Sequence, residues 1–121
     1  MTERMDEILA AMGPLAGLFA DPEVLEIMVD GPERVLVERS GRLVDAEVRF
    51  ESAEAVRAVI DDLLKFNPAS RAEEGTIRQI YFPGGQARGV AVLPPTALQG
   101  PCLVIRKLMN TGWISWEKLV E

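Results

Sequence analysis

The chain has 121 residues and a formal net charge of −6, a length that suits one domain able to bury a hydrophobic core. Its 48% hydrophobic and 26% charged residues are typical of a soluble globular protein, and the acidic balance argues against a general nucleic-acid binder. With no histidine and one cysteine, the chain has no internal disulfide, no zinc cluster of these ligands and no Ser-His or Cys-His nucleophile pair. No apolar run is long enough to cross a bilayer, and we expect a cytoplasmic setting.

The first twenty residues predict two helices. Apolar residues share one face of a helix that should stop at Gly13-Pro14, and Pro14 can open a second short helix that ends before Asp21-Pro22. We expect these helices to form a packed lid rather than a membrane-surface helix, because only Arg4 supplies a cation.

From Leu25 onward the pattern is typical of strands. The predicted strands are Glu26–Val29, the hairpin Arg34–Arg39 with Arg42–Phe50, and Thr76–Phe82. Between them, Ser52 is an N-cap candidate for a helix that runs to Phe66. The neighbouring Asp61 and Asp62 of that helix point about 100° apart and make a poor metal pair, so no metal site is expected.

The stretch Gly84–Leu108 contains the candidate site. Two strand-like runs, Arg88–Leu93 and Cys102–Leu108, flank a connector punctuated by Pro94-Pro95 and Gly100-Pro101. If the runs pair symmetrically, Val92 faces Cys102, Val90 faces Val104 and Arg88 faces Arg106. Two arginines across a ladder repel each other unless an anion or a carboxylate lies between them. A register slip of one residue would turn one arginine to the other face.

Two interpretations of this arginine pair stay open. The pair can clamp an anion, or the arginines can form structural ion pairs with Glu73, Glu74 or Glu117.

Taken together, these patterns predict an α+β domain. An antiparallel sheet of about five or six strands should be covered by the N-terminal helices and by the Ser52–Phe66 helix. Near the end of the chain, Ser115 is an N-cap candidate for a helix that the sequence leaves only about two turns long, and we expect the natural chain to continue.

Two groups of residues resemble a known family. The run Pro22–Glu38, together with Pro94-Pro95, Gln99-Gly100-Pro101 and Ile105-Arg106-Lys107, is similar to the N-terminal domain of the type II and type IV secretion ATPases, and within them to the Flp/Tad pilus-assembly branch. The resemblance implies a PAS-like regulatory and oligomerisation domain over residues 1–112. It also implies that residues 113–121 begin a linker helix toward a C-terminal RecA-like ATPase domain that is missing here.

The resemblance further implies a function. It assigns Arg88 and Arg106 to the nucleotide phosphates, with ATP and Mg as cofactors of a hexameric parent protein that couples hydrolysis to protein export. The implied partners are the ATPase domain of the same or a neighbouring subunit and inner-membrane secretion components, which would place the protein peripherally at the inner membrane. No catalytic residue is expected in this chain.

The sequence departs from that family at several positions. Gln79, Tyr81, Gly84 and Val90 stand where the family pattern has other residues, and Tyr81 replaces a basic one. The glycine-rich run Gly84–Gly89 has no Gly-Lys-Ser/Thr ending and precedes a strand, so it is not a P-loop. The chain alone is therefore expected to bind no ATP–Mg cofactor and to hydrolyse no ATP. The alternative function is a stand-alone protein-interaction module of the same fold that binds no nucleotide.

Overall fold

A computed structural model describes residues 3–67, 75–82, 85–97 and 100–108, with side chains described from residue 6 onward. Within these ranges the chain forms a helical N-terminal segment, a three-stranded meander, one longer helix and three further strands. The helices are α1 (Glu3–Ala11), a 3-10 helix over Gly13–Leu15, α2 (Ala16–Ala20) and α3 (Ala53–Leu64). The strands are β1 (Val24–Asp30), β2 (Val35–Arg39), β3 (Arg42–Asp45), β4 (Ile77–Tyr81), β5 (Ala87–Val92) and β6 (Cys102–Lys107).

The six strands form one sheet in the order β3-β2-β1-β6-β5-β4, and every neighbouring pair is antiparallel. The last strand in sequence, β6, lies in the middle of the sheet between β1 and β5. The predicted α+β class with five or six antiparallel strands is therefore confirmed.

The helices pack on one face of this sheet. The buried cluster combines Met12 and Leu15 from the N-terminal helices and Ile60 from α3 with Ile27 and Ile105 from the central strands. This arrangement confirms the predicted helical covering, because alternate strand residues turn toward the helices.

The opposite face of the sheet is the open face. Within the described part of the chain no helix covers it, and Val90 and Val104 at its centre stay 36% and 39% exposed. Among the described residues, the side chains at the centre of this face are therefore accessible to solvent.

Most element ends follow local chemistry. Gly13 takes a φ of 57° two residues after α1 ends, as the Gly13-Pro14 stop predicts. Ser52 caps α3 by accepting a hydrogen bond from the backbone N–H of Ala55 at 3.1 Å, which confirms the predicted cap. On that helix, Asp61 and Asp62 form ion pairs with Arg57 and Lys65.

The predicted strand Arg42–Phe50 is wrong in its second half, because β3 ends at Asp45. The Asp45 carboxylate accepts the backbone N–H of Glu47 at 2.7 Å and pairs with Arg49, which bends the chain away from β2. Glu47 takes a φ of 59°, outside the range of a strand.

Some predictions lie outside the described residues. They are the linker helix over residues 113–121 with its Ser115 cap, the carboxylates Glu73, Glu74 and Glu117, and the replacement at Gly84.

Candidate functional site

The predicted register of the central hairpin is confirmed. Val92 pairs with Cys102, Val90 with Val104, and Arg88 with Arg106. Both arginines belong to the open face and are exposed. The adjacent strand residues Gly89 and Ile105 are buried, as expected for positions that alternate with the open face. The structure therefore brings the two predicted site residues side by side.

Arg106 has a carboxylate partner that sequence reasoning missed. Its Nη1 donates to Oε1 of Glu26 on β1 at 2.7 Å. The Arg106 side chain is 65% exposed, whereas the Glu26 side chain is only 18% exposed. One arginine of the pair is thus partly neutralised from the side away from Arg88.

Arg88 has a different neighbour. Its guanidinium carbon lies 5.6 Å from the ring centroid of Tyr81, which is the paired residue on β4. The Tyr81 hydroxyl lies 2.7 Å from Oε1 of Gln79 and donates to it. Tyr81, one of the departures from the family pattern, therefore supports Arg88 through a cation–π contact.

These residues form a line across five strands that we call the charged row. Pairing places Glu38 of β2 beside Glu26, Glu26 beside Arg106, Arg106 beside Arg88, and Arg88 beside Tyr81. The row is acidic toward β2 and basic toward β5. An anion on the open face is consequently attracted to β5 and β6 and repelled from β1 and β2.

A second line, the apolar row, runs parallel to the charged row. It consists of Leu36, Met28, Val104 and Val90 on β2, β1, β6 and β5. Val90, one of the departures from the family pattern, is thus an apolar residue beside Val104.

Lys107, the residue after Arg106, faces the helical side. Its Nζ donates to the backbone carbonyl oxygens of Phe19 at 2.9 Å and Asp21 at 2.6 Å, and it lies 5.7 Å from the Phe19 ring centroid. Burial lowers the pKa of Lys107 to about 8, against an opposing effect of the Asp21 carboxylate. Lys107 therefore holds the end of α2 and does not join the candidate site.

The helix end that Lys107 binds is itself held by charge. Asp21 pairs with Arg39 at 2.8 Å. The pKa of the Asp21 carboxyl is lowered, first by the hydrogen bond from the backbone N–H of Glu23 and then by Arg39. This cluster connects α2 to β2 and β6.

The described residues hold no group of three or more acidic or cysteine side chains that could bind a metal ion. Among the same residues, no helix has the length and apolar character needed to span a bilayer.

Comparison with known proteins places this geometry in context. No protein-family model matches the chain. Two relatives from strains of Mycobacterium tuberculosis, each named "Putative conjugal transfer protein", are 30% identical over 105 residues. The match covers 83% of this chain and 30% of each relative, so the chain spans less than a third of the curated proteins that it matches.

A solved structure has the same fold. The VirB11 ATPase of the Brucella suis type IV secretion system, crystallised with sulphate, superposes with a TM-score of 0.71 at 19% identity. The superposition covers 94% of this chain and 36% of VirB11. The fold is that of the N-terminal domain of VirB11-like ATPases.

Proposed function

We propose that this chain is the N-terminal domain of a secretion or conjugal-transfer ATPase that contributes Arg88 and Arg106 to a nucleotide-phosphate site. The fold and the conjugal-transfer relatives support the general class of protein. The resemblance in sequence supports the finer assignment to the Flp/Tad pilus-assembly branch of the type II and type IV secretion family.

The observation that carries the proposal is the pairing of Arg88 with Arg106 on the open face. Two guanidinium groups on directly opposed strand residues repel each other, and one bound phosphate chain would remove that repulsion while accepting hydrogen bonds from both. Basic side chains in such positions stabilise the charge that develops on phosphate oxygens during phosphoryl transfer.

The remaining parts of the site would come from elsewhere. A C-terminal RecA-like domain of the same or a neighbouring subunit would supply the P-loop and bind ATP with Mg, since this chain has no Gly-Lys-Ser/Thr run. In the parent protein, a hexamer would couple hydrolysis to export at the cytoplasmic side of the inner membrane, together with membrane components of the secretion system.

A double-mutant cycle on the full-length parent protein tests the proposal. Arg106→Ala should weaken ATP turnover by about 1.5–3 kcal/mol of transition-state stabilisation, because one charge-assisted hydrogen bond to phosphate is lost. Arg88→Ala should act similarly, and the double variant should lose less than the sum, because both side chains would contact one anion.

Arg42→Ala is the matched control, since Arg42 is an exposed strand arginine on β3, away from the pair. Thermal unfolding of each variant shows whether a loss of turnover reflects a loss of folding. If both single variants hydrolyse ATP at the wild-type rate, the phosphate site is refuted and the structural ion pair remains.

A second candidate function is a stand-alone interaction module that binds no nucleotide. The apolar row favours it, as does the ion pair that already occupies Arg106. The coding sequence after Glu121 separates the two candidates. A glycine-rich loop ending in Lys-Ser/Thr supports the ATPase domain, and an immediate stop codon supports the stand-alone module.

A further inference from the structure

Glu26 is the one side chain in the described charged row that both bears a negative charge and contacts the arginine pair. It lies between Glu38 on β2 and Arg106 on β6. Because it belongs to the neighbouring strand and not to a flexible loop, its carboxylate is fixed beside Arg106. An anion that binds Nη1 of Arg106 must replace this carboxylate.

We propose that Glu26 is a built-in competitor for Arg106 that makes the arginine pair selective for polyanions over monoanions. The inference rests on the proposed phosphate site and names the residue that sets its specificity. It requires no residue beyond the described strands.

The selectivity follows from comparing what a monoanion and a diphosphate each gain when they replace the Glu26 carboxylate at Arg106. A monoanion at Arg106 replaces one carboxylate contact by another of the same charge, so it gains little. It can still bind Arg88, whose described contact is the uncharged ring of Tyr81. A diphosphate spans both arginines and gains the contact to Arg88 together with relief of the repulsion between them, which offsets the displaced Glu26 contact.

Charge around the site also fixes the orientation of the ligand. Glu38 stands directly behind Glu26 on the acidic side of the charged row. Tyr81 and Gln79 lie on the other side, on β4. The phosphates would therefore lie over β5 and β6 and extend toward β4, away from the two carboxylates.

An NMR titration of the 121-residue chain tests the competitor. Inorganic pyrophosphate and acetate are added in separate series, and the Nε–Hε signals of Arg88 and Arg106 are followed. In the wild type, pyrophosphate should shift both signals and acetate should shift Arg88 alone. In Glu26→Gln both anions should shift both signals. The pyrophosphate affinity should rise roughly two- to fivefold, the range expected for removal of one partly exposed ion pair.

Glu38→Gln is the matched control, since it removes the same charge from the adjacent strand without removing a contact to Arg106. It should raise the pyrophosphate affinity less than Glu26→Gln does. Glu26→Ala should reproduce Glu26→Gln, and the backbone amide spectrum of each variant shows that the sheet is intact.

The outcomes separate the two proposals. If wild type and Glu26→Gln bind pyrophosphate equally, or if Glu38→Gln has the same effect as Glu26→Gln, the competitor is overturned and the phosphate site stands. If pyrophosphate shifts neither arginine signal in any variant, the competitor is overturned, and the phosphate site is decided by the double-mutant cycle on the full-length protein.

Discussion

At the residue scale, Asn67 joins the end of α3 to β4. Its side chain is buried, with 7% of the residue exposed. Its Nδ2 donates to the carbonyl oxygen of Leu63 at 3.1 Å, and its Oδ1 accepts the backbone N–H of Tyr81 at 2.7 Å. The same amide therefore ends the helix and fixes the residue that supports Arg88.

Replacement of Asn67 should be costly. We expect Asn67→Ala to lower the free energy of unfolding by about 1–3 kcal/mol. The strand N–H of Tyr81 loses its side-chain acceptor, and the Leu63 carbonyl loses one of its two donors while still accepting the N–H of Phe66. Urea unfolding followed by circular dichroism measures the loss. Asn67→Asp keeps the acceptor for the Tyr81 N–H and loses the donor to Leu63. It should therefore shift the NMR signal of the Tyr81 amide less than Asn67→Ala does. Equal shifts in both variants would contradict the assigned contact.

Lys107 should make stability depend on pH. Its pKa in the folded chain is about 8, below the ordinary value of 10.5, so between these values the unfolded chain binds more protons than the folded chain. The contribution of Lys107 to the free energy of unfolding should therefore rise as the pH is raised from about 8 toward 10.5.

The measurement compares wild type with Lys107→Met from pH 7 to pH 10 by urea unfolding. The difference in free energy of unfolding, wild type minus variant, should increase over this range. Lys65→Met, which removes an exposed lysine from α3, controls for the loss of one positive charge. A difference that falls or stays constant would show that Lys107 is not desolvated at the end of α2.

Residue-level prediction from sequence succeeded where the partners are close along the chain. The Arg88–Arg106 pairing follows from the proline-rich connector between the two strands, which fixes the register of a local hairpin. The contact of Glu26 was missed because its partner Arg106 is 80 residues away along the chain. Strand alternation predicts the face on which Glu26 lies, but it does not predict which strand pairs with β1. Asn67 was missed because a buried asparagine after a helix looks like an ordinary helix end.

At the scale of elements, α3 is the helix with the clearest sequence signals. Its stripe of buried residues runs from Val56 to Leu64, and Ser52 satisfies one of its free N–H groups. The predicted helix extends past the observed one by Lys65 and Phe66, which form a turn. β3 was predicted too long because strand propensity does not account for the Asp45 side chain. Its carboxylate accepts a hydrogen bond from the backbone N–H of Glu47, two residues further along the chain.

Loss of the α3 cap should destabilise the fold without changing the open face. We expect Ser52→Ala to lower the free energy of unfolding by about 1 kcal/mol, since the N–H of Ala55 loses its side-chain acceptor and keeps only the Ser52 backbone carbonyl. Thermal and urea unfolding measure the effect. Ser52→Asp keeps an acceptor at the cap and should retain most of the stability; a loss as large as that of Ser52→Ala would contradict the capping role.

At the scale of the whole molecule, the hydrophobic core and the candidate site lie on opposite sides of the sheet. The helical side holds the core and Lys107, while the open face holds the charged and apolar rows. The sequence predicted the covering helices, and strand alternation gives the opposite orientations of Arg106 and Lys107. It could not predict that Lys107 binds the end of α2, because its partners Phe19 and Asp21 lie 88 and 86 residues away along the chain.

The isolated chain should not turn over ATP, because it has no P-loop to hold the phosphates and Mg. Phosphate release assayed with the purified 121-residue chain should equal that of the buffer, and the double variant of Arg88 and Arg106 should give the same value. Hydrolysis that survives a second purification and scales with protein concentration would refute this prediction.

The central place of β6 has a consequence for synthesis in the cell. β1 to β3 form one group of strands and β4 with β5 another, and β6 alone joins them, through pairs such as Glu26 with Arg106 that lie 80 residues apart. A ribosome releases β6 after all five other strands, so until then the nascent chain exposes unpaired strand edges on β1 and β5. A chain cut before Cys102 would leave a three-stranded meander and a two-stranded hairpin with open edges, which are prone to aggregate and are targets for chaperones and proteases.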